Sequence, residues 1–218
     1  MKKAILFLSL VMLVPVLGGC HGHFGNVTGS GTMKLEKRDV PAFTAVSISG
    51  AYDVEIVVQK EQSLEIEGDD NLLPLIRTEV KNGVLNIDNE KSFSTKHALR
   101  VRISVPNLDA LSTSGASEFN VTNVKSDDFN IEASGAGHIE ISGETKELEV
   151  GMSGAVGLDA KDFKAQKVNV TTSGASSADV YASEELRASV SGAGNIDYYG
   201  DPKTVSEDAS GAGSISKK

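Results

Sequence analysis

Seven side chains that could do acid–base or cation chemistry stand at one fixed distance from a recurring serine. Ser-Gly-Ala begins at Ser49, Ser114, Ser134, Ser153, Ser173, Ser191 and Ser210. Six residues after each serine come Glu55, Asn120, Glu140, Asp159, Asp179, Asp197 and Ser216. If equal offsets stack one strand apart, Glu140, Asp159, Asp179 and Asp197 form a column of carboxylates about 4.8 Å apart. Like charges that close repel, so the column attracts a cation or holds raised pKa values. The chemistry on offer is a weak calcium site, or a cation-bridged contact with an anionic glycan. The plainer reading is a solvated acidic face, with no bound metal.

Other chemistry is sparse. The sequence lacks GxSxG, HExxH, GxxxxGK[ST] and GxGxxG, so it offers no nucleophile elbow, zinc helix or phosphate cradle. His21 and His23 lie in a glycine-rich stretch, and two histidines are too few for a tetrahedral metal site. His97 and His138 are far apart in sequence and read as surface polar groups. The carboxylates could serve polysaccharide cleavage. However, no long loop after Ser114 could wall a groove. The expectation is a non-enzyme without a cofactor. A net charge of −9 argues against nucleic acid as a partner.

The elements that must position the column follow from the repeat. From Ser114 onward the gaps between serines are 20, 19, 20, 18 and 19 residues; the first gap, from Ser49, is 65. That longer gap has room for about three further coils. Five and seven residues after each of the first six serines come apolar pairs such as Val54/Ile56, Phe119/Val121 and Ile139/Ile141. Five and three residues before come Phe129/Ile131, Leu148/Val150 and Val168/Val170. Alternation at period 2 predicts two short strands per repeat, joined by Ser-Gly-Ala. The glycine suits a corner with positive φ, and the alanine is expected just inside it. One repeat cannot bury its own apolar face, so the repeats must stack. The fold class expected is all-β, a parallel β-helix (β-solenoid) with coils of about 18–20 residues. Asn82-Gly83 reads as a hairpin turn or a plain corner. Leu72, Leu73, Leu75 and Ile76 around Pro74 read as a cap on the first coil.

The N-terminal residues read as an address. Lys2 and Lys3 precede an apolar run from Ala4 to Leu17. Fourteen residues are short of the roughly 20 that span a membrane as a helix. Residues 1–19 are therefore a secretory signal peptide. Leu17-Gly18-Gly19-Cys20 resembles the lipobox of bacterial lipoproteins, which implies lipid attachment at Cys20. Cys20 is the only cysteine, so no internal disulfide competes for it. Residues 20–32 then form the lipidated cysteine and a flexible linker. Residues 33–218 form a single β-solenoid domain. His21 in place of an aspartate implies, by the same resemblance, passage to the outer membrane.

Several short motifs in a fixed order resemble a known family. They are Gly29-Ser30-Gly31, Arg38-Asp39-Val40, Val46-Ser47-Ile48-Ser49-Gly50-Ala51 and Asn71-Leu72-Leu73-Pro74. Thr78-Glu79-Val80-Lys81-Asn82-Gly83, Val105-Pro106-Asn107-Leu108 and the serial Ser-Gly-Ala units follow. Over residues 29 to 218 the chain resembles the putative autotransporter adhesin, head GIN domain family. The resemblance implies a right-handed parallel β-helix, an exported envelope protein and no catalytic residues. The resulting expectation is a non-catalytic envelope lipoprotein at the outer membrane or periplasmic face, presenting a surface for glycan or protein. The alternatives are a structural scaffold assembling through coil ends and a polysaccharide-degrading β-helix enzyme.

Overall fold

The computed structural model describes residues 26–218. Residues 1–19, read from the sequence as a signal peptide, lie outside the described residues, as do Cys20, His21 and His23. Among the described residues the structure is all-β, with sixteen strands and one 3-10 turn at Leu73–Leu75. Fourteen of these strands belong to one curled sheet.

Successive repeats pair parallel and in register. Ala45–Gly50 pairs with Ala110–Gly115, which pairs with residues 130–135, so Ser49, Ser114 and Ser134 are aligned. Ser173, Ser191 and Ser210 are aligned in the same way. The strands after the corner follow suit, with Val54, Phe119 and Ile139 in one row. The alternating apolar residues point inward. Val46, Leu111, Ile131, Val150, Val170 and Ala188 are all buried, as are Val54, Phe119, Ile139, Leu158, Ala178 and Ile196. Phe129 and Phe163 fill the interior edge to face at 5.3 Å. Such a pair adds about 1 kcal/mol beyond the area it buries.

The corner explains the tripeptide. Gly174 has φ +84, and a Cβ there would lie 2.6 Å from the carbonyl oxygen of Gly154. Gly115, Gly135, Gly154, Gly192 and Gly211 share both features, each against the glycine one repeat earlier. Glycine is thus required by conformation and by space. The alanine is a correction to the sequence reading. Ala116, Ala136, Ala155 and Ala175 are exposed, because the corner turns them outward. The next residue faces inward. Ser117 Oγ donates to Gly50 O and accepts from Tyr52 N–H, each at 3.2 Å. Ser176 does the same between Gly154 O and Val156 N–H, each at 3.3 Å. Each buried hydroxyl thus gives the Tyr52 or Val156 N–H an acceptor, and adds a second donor to the Gly50 or Gly154 carbonyl, which already accepts from Ala116 or Ala175 N–H.

The long gap between Ser49 and Ser114 holds one stacked layer rather than three coils, which is a second correction: Val84–Asn89 pairs parallel with Ala45–Gly50, and Arg100–Val105 pairs parallel with Asp53–Val58. The two repeats are direct neighbours, with their hydroxyl oxygens 2.8 Å apart. The intervening chain lacks the Ser-Gly-Ala corner and folds back on itself. Ser63–Asp69 runs antiparallel to Arg100–Val105. Ile76–Lys81 and Val84–Asn89 form a hairpin through Asn82 and Gly83, both at positive φ. Leu72, Leu73 and Ile76 are buried beneath these strands and close that end of the core.

Residues 26–32, assigned by sequence to the linker, are tied to this cap from Val27 onward. Val27–Thr28 pairs with Phe93–Ser94. The buried Asp69 carboxylate accepts from Thr95 Oγ1 and, at 2.6 Å, from Gly31 N–H. Asn71 bonds both Ser30 N–H and Thr28 O. The Thr95 hydroxyl chiefly holds the Asp69 carboxyl below its ordinary value, against the effect of burial. A depressed folded pKa stabilises above the ordinary carboxylate range, and the effect fades as pH falls through the folded value.

Two outcomes follow. Gly174→Ala lowers the free energy of unfolding by roughly 2 kcal/mol, whereas Ala175→Ser changes it by under about 0.5 kcal/mol; urea denaturation reads both. Asp69→Ala lowers the protection of the Val27 and Gly31 amides against exchange at neutral pH, and acidification of the parent protein lowers their protection relative to the intrinsic rate at each pH.

Candidate functional site

The outward positions of the strands after the corner form one continuous face. Glu55, Asn120 and Glu140 are in register. Asp159, Asp179, Asp197 and Ser216 are likewise in register. Every member of the expected carboxylate column therefore lies at an outward, aligned position. The column is not bare. Lys161 bonds Asp159, and Lys218 Nζ lies 3.1 Å from Asp197. For Asp159, burial raises the pKa, but the bonds from Lys161 outweigh it and the net shift is downward. Asp179, between them, has no ion-pair partner among the described residues. Burial first, and then the charges of Asp197 and Asp159, raise its pKa. Among the described residues no group of three or more His, Cys, Asp or Glu side chains is arranged to hold a metal ion.

The face continues into the cap, which sequence reasoning missed. Arg100 and Arg102 stand in register with Asp53 and Glu55. Arg102 reaches Glu67 at 3.2 Å and Glu55 at 3.9 Å. The alternation of Leu99, Val101 and Ile103 placed both arginines outward. The row they join depends on register, which alternation does not carry. Together with His138 and Glu140 they line a shallow concavity of about 390 Å³. His138 lies over Gly157, whose missing side chain leaves the room. His97 lies elsewhere, in the cap, with Nδ1 3.7 Å from Asp69.

A second concavity, of about 440 Å³, lies on the strands before the corner. Asn130, Glu149, Asn169 and Arg187 line it. Asn169 and Arg187 are in register, and Lys167 pairs with Glu147 across one repeat at 2.6 Å. Both concavities are open, and both offer amides, carboxylates and guanidinium groups at repeating height. Such groups bind hydroxyl-rich or polar surfaces by many modest hydrogen bonds.

Comparisons with known proteins give the following. A family model described as "Putative auto-transporter adhesin, head GIN domain" matches residues 42–202. A solved putative adhesin from Bacteroides fragilis is 21% identical with a TM-score of 0.73, the match covering 88% of this chain and 100% of that one. A putative lipid binding protein from Parabacteroides distasonis is 21% identical with a TM-score of 0.52, covering 88% and 99%. A putative adhesin from Parabacteroides merdae is 19% identical with a TM-score of 0.55, again covering 88% and 99%. At these identities the likeness to the solved structures concerns the fold alone. No curated protein matches.

Asp179→Asn removes a carboxylate whose raised pKa marks it as unfavourably placed when charged. The variant melts higher at neutral pH, by about 0.5 kcal/mol. A raised folded pKa favours the native state only at acidic pH, so the advantage disappears below the ordinary carboxylate range. Thermal melts across pH read both.

Proposed function

We propose, from the premise that the chain belongs to the putative auto-transporter adhesin, head GIN domain family, that it is a non-catalytic adhesion module of the cell envelope. In this reading residues 1–19 are removed on export. Lipid on Cys20 then holds the domain at the outer membrane or the periplasmic face of the envelope. The repeats wind as a right-handed parallel β-helix with coils of about 18–20 residues. In-register parallel pairing at that spacing supports the winding. The partner is a glycan or an envelope protein, without nucleic acid or a cofactor.

One observation carries the reading. Outward polar side chains stand in aligned rows from Arg100 and Arg102 in the cap to Ser214 and Ser216. A long, firm, polar face suits multivalent contact more than a single enclosed substrate. The scaffold alternative, growth through coil ends, is disfavoured by a specific feature. Glu207 and Lys217 are in register with the buried Ala188 and Tyr198. Charges at inward positions of an open strand oppose a further strand.

The test uses the purified chain on an array of neutral, amino and uronic-acid glycans and on separated envelope proteins. Saturable binding that weakens several-fold in Arg102→Glu, with no product released from any polysaccharide, is the expected result. Soluble sugar products would turn the reading toward the enzyme alternative. In cells, Cys20→Ala shifts the protein from the membrane fraction to the soluble one.

A further inference from the structure

Strand Met33–Lys37 is the outermost strand at one end of the sheet. It runs antiparallel to Ser63–Asp69 on one side and has no strand on the other among the described residues. Its free edge can be read from the backbone. Arg38 N–H donates to Leu64 O, and Thr32 O accepts from Asp70 N–H. The even positions therefore turn toward the neighbouring strand. The odd positions, Met33, Leu35 and Lys37, aim their N–H and C=O groups at the open side. Exposed large apolar side chains are concentrated here too. Of three among the described residues, Met33 at 39% and Leu35 at 47% belong to this strand.

We propose that this edge pairs with the same edge of a second copy of the chain, antiparallel, about a two-fold axis at Leu35. In that register Leu35 meets Leu35 of the second copy, and Met33 meets Lys37. Lys34 meets Glu36 of the second copy, twice over. Every odd-position N–H and C=O then finds a partner across the axis. The sequence Met33-Lys34-Leu35-Glu36-Lys37 is complementary to itself only with this centre. An axis at Lys34 sets lysine against lysine, and one at Glu36 sets glutamate against glutamate. Like charges directly opposite are unfavourable in a sheet. Charged residues on an edge usually discourage pairing, but here their order permits one arrangement and opposes its neighbours. The two sheets would join into one, with the cap ends at the centre and the repeats running outward in opposite directions. The outward polar rows would thereby double in number. The inference stands apart from adhesion, since the edge pairs whether or not the faces bind a ligand.

The experiment uses the full chain carrying Cys20→Ser, so that an introduced thiol is the only one. Leu35→Cys places two thiols opposite each other at the axis, within disulfide reach. Met33→Cys places them about four residues apart along the strands, roughly 13 Å. Under mild oxidant Leu35→Cys gives a covalent dimer and Met33→Cys stays monomeric. Adding Lys34→Glu to Leu35→Cys cuts the dimer yield at least several-fold, and adding Glu36→Lys as well restores it. Equal cross-linking at the two positions, or a yield unmoved by Lys34→Glu, overturns the proposal. So does sedimentation of the Cys20→Ser chain as a monomer at every concentration up to millimolar. Circular dichroism melts confirm that each variant is folded.

Discussion

The close approach of one glycine corner to the next is the contact on which the rest of the structure depends. At Gly174 there is no room for a Cβ against the carbonyl of Gly154, and φ lies where side chains rarely go. The same contact recurs along the column of corners. It fixes the register of every strand on either side. Because side chains alternate with period 2, a slip of one residue would turn each inward Val, Ile or Leu to solvent. The burial of Ile131, Ile139, Val150 and Val170 is therefore a consequence of the corner. So is the alignment of Asp159, Asp179 and Asp197.

The corner also decides where polar groups end up. It turns the alanine outward and the following residue inward, so a serine at that place must find backbone partners. Ser117 and Ser176 do so by bridging two repeats. These hydroxyls are thereby used for structure. What remains for recognition is the outward rows, where Lys161, Lys218, Arg100 and Arg102 sit among carboxylates. Charge on these rows is locally compensated more than a net charge of −9 suggests. That favours polar contact over the capture of a bare cation.

Much of this was legible from spacing alone, and the illegible parts have physical causes. The apolar pairs around each serine assigned inside and outside correctly, because alternation is a local property. The outward placement of Glu140, Asp159, Asp179 and Asp197 followed from the same rule. The stretch between Ser49 and Ser114 adds one parallel layer, and its other strands, read as further coils, run antiparallel instead. Its alternating strands, Leu64/Ile66 and Leu99/Val101/Ile103, look the same whether their partner is parallel or antiparallel. Only the absence of Ser-Gly-Ala signalled that the chain could not turn the usual corner. Arg100 and Arg102 were missed for the same reason, since their row depends on a pairing far away in sequence. The lysines that neutralise Asp159 and Asp197 come from a bulge and from the last residue. Neither obeys the repeat.

The central claim is that Ser-Gly-Ala corners stack in register, with the Ser49 repeat directly on the Ser114 repeat despite 65 residues between them. The most direct measurement is disulfide formation between Ser49→Cys and Ser114→Cys in a chain that lacks Cys20. The native hydroxyl oxygens are 2.8 Å apart. Rapid, near-complete bridging in the folded protein is the predicted result. A folded protein in which those thiols stay free would contradict it.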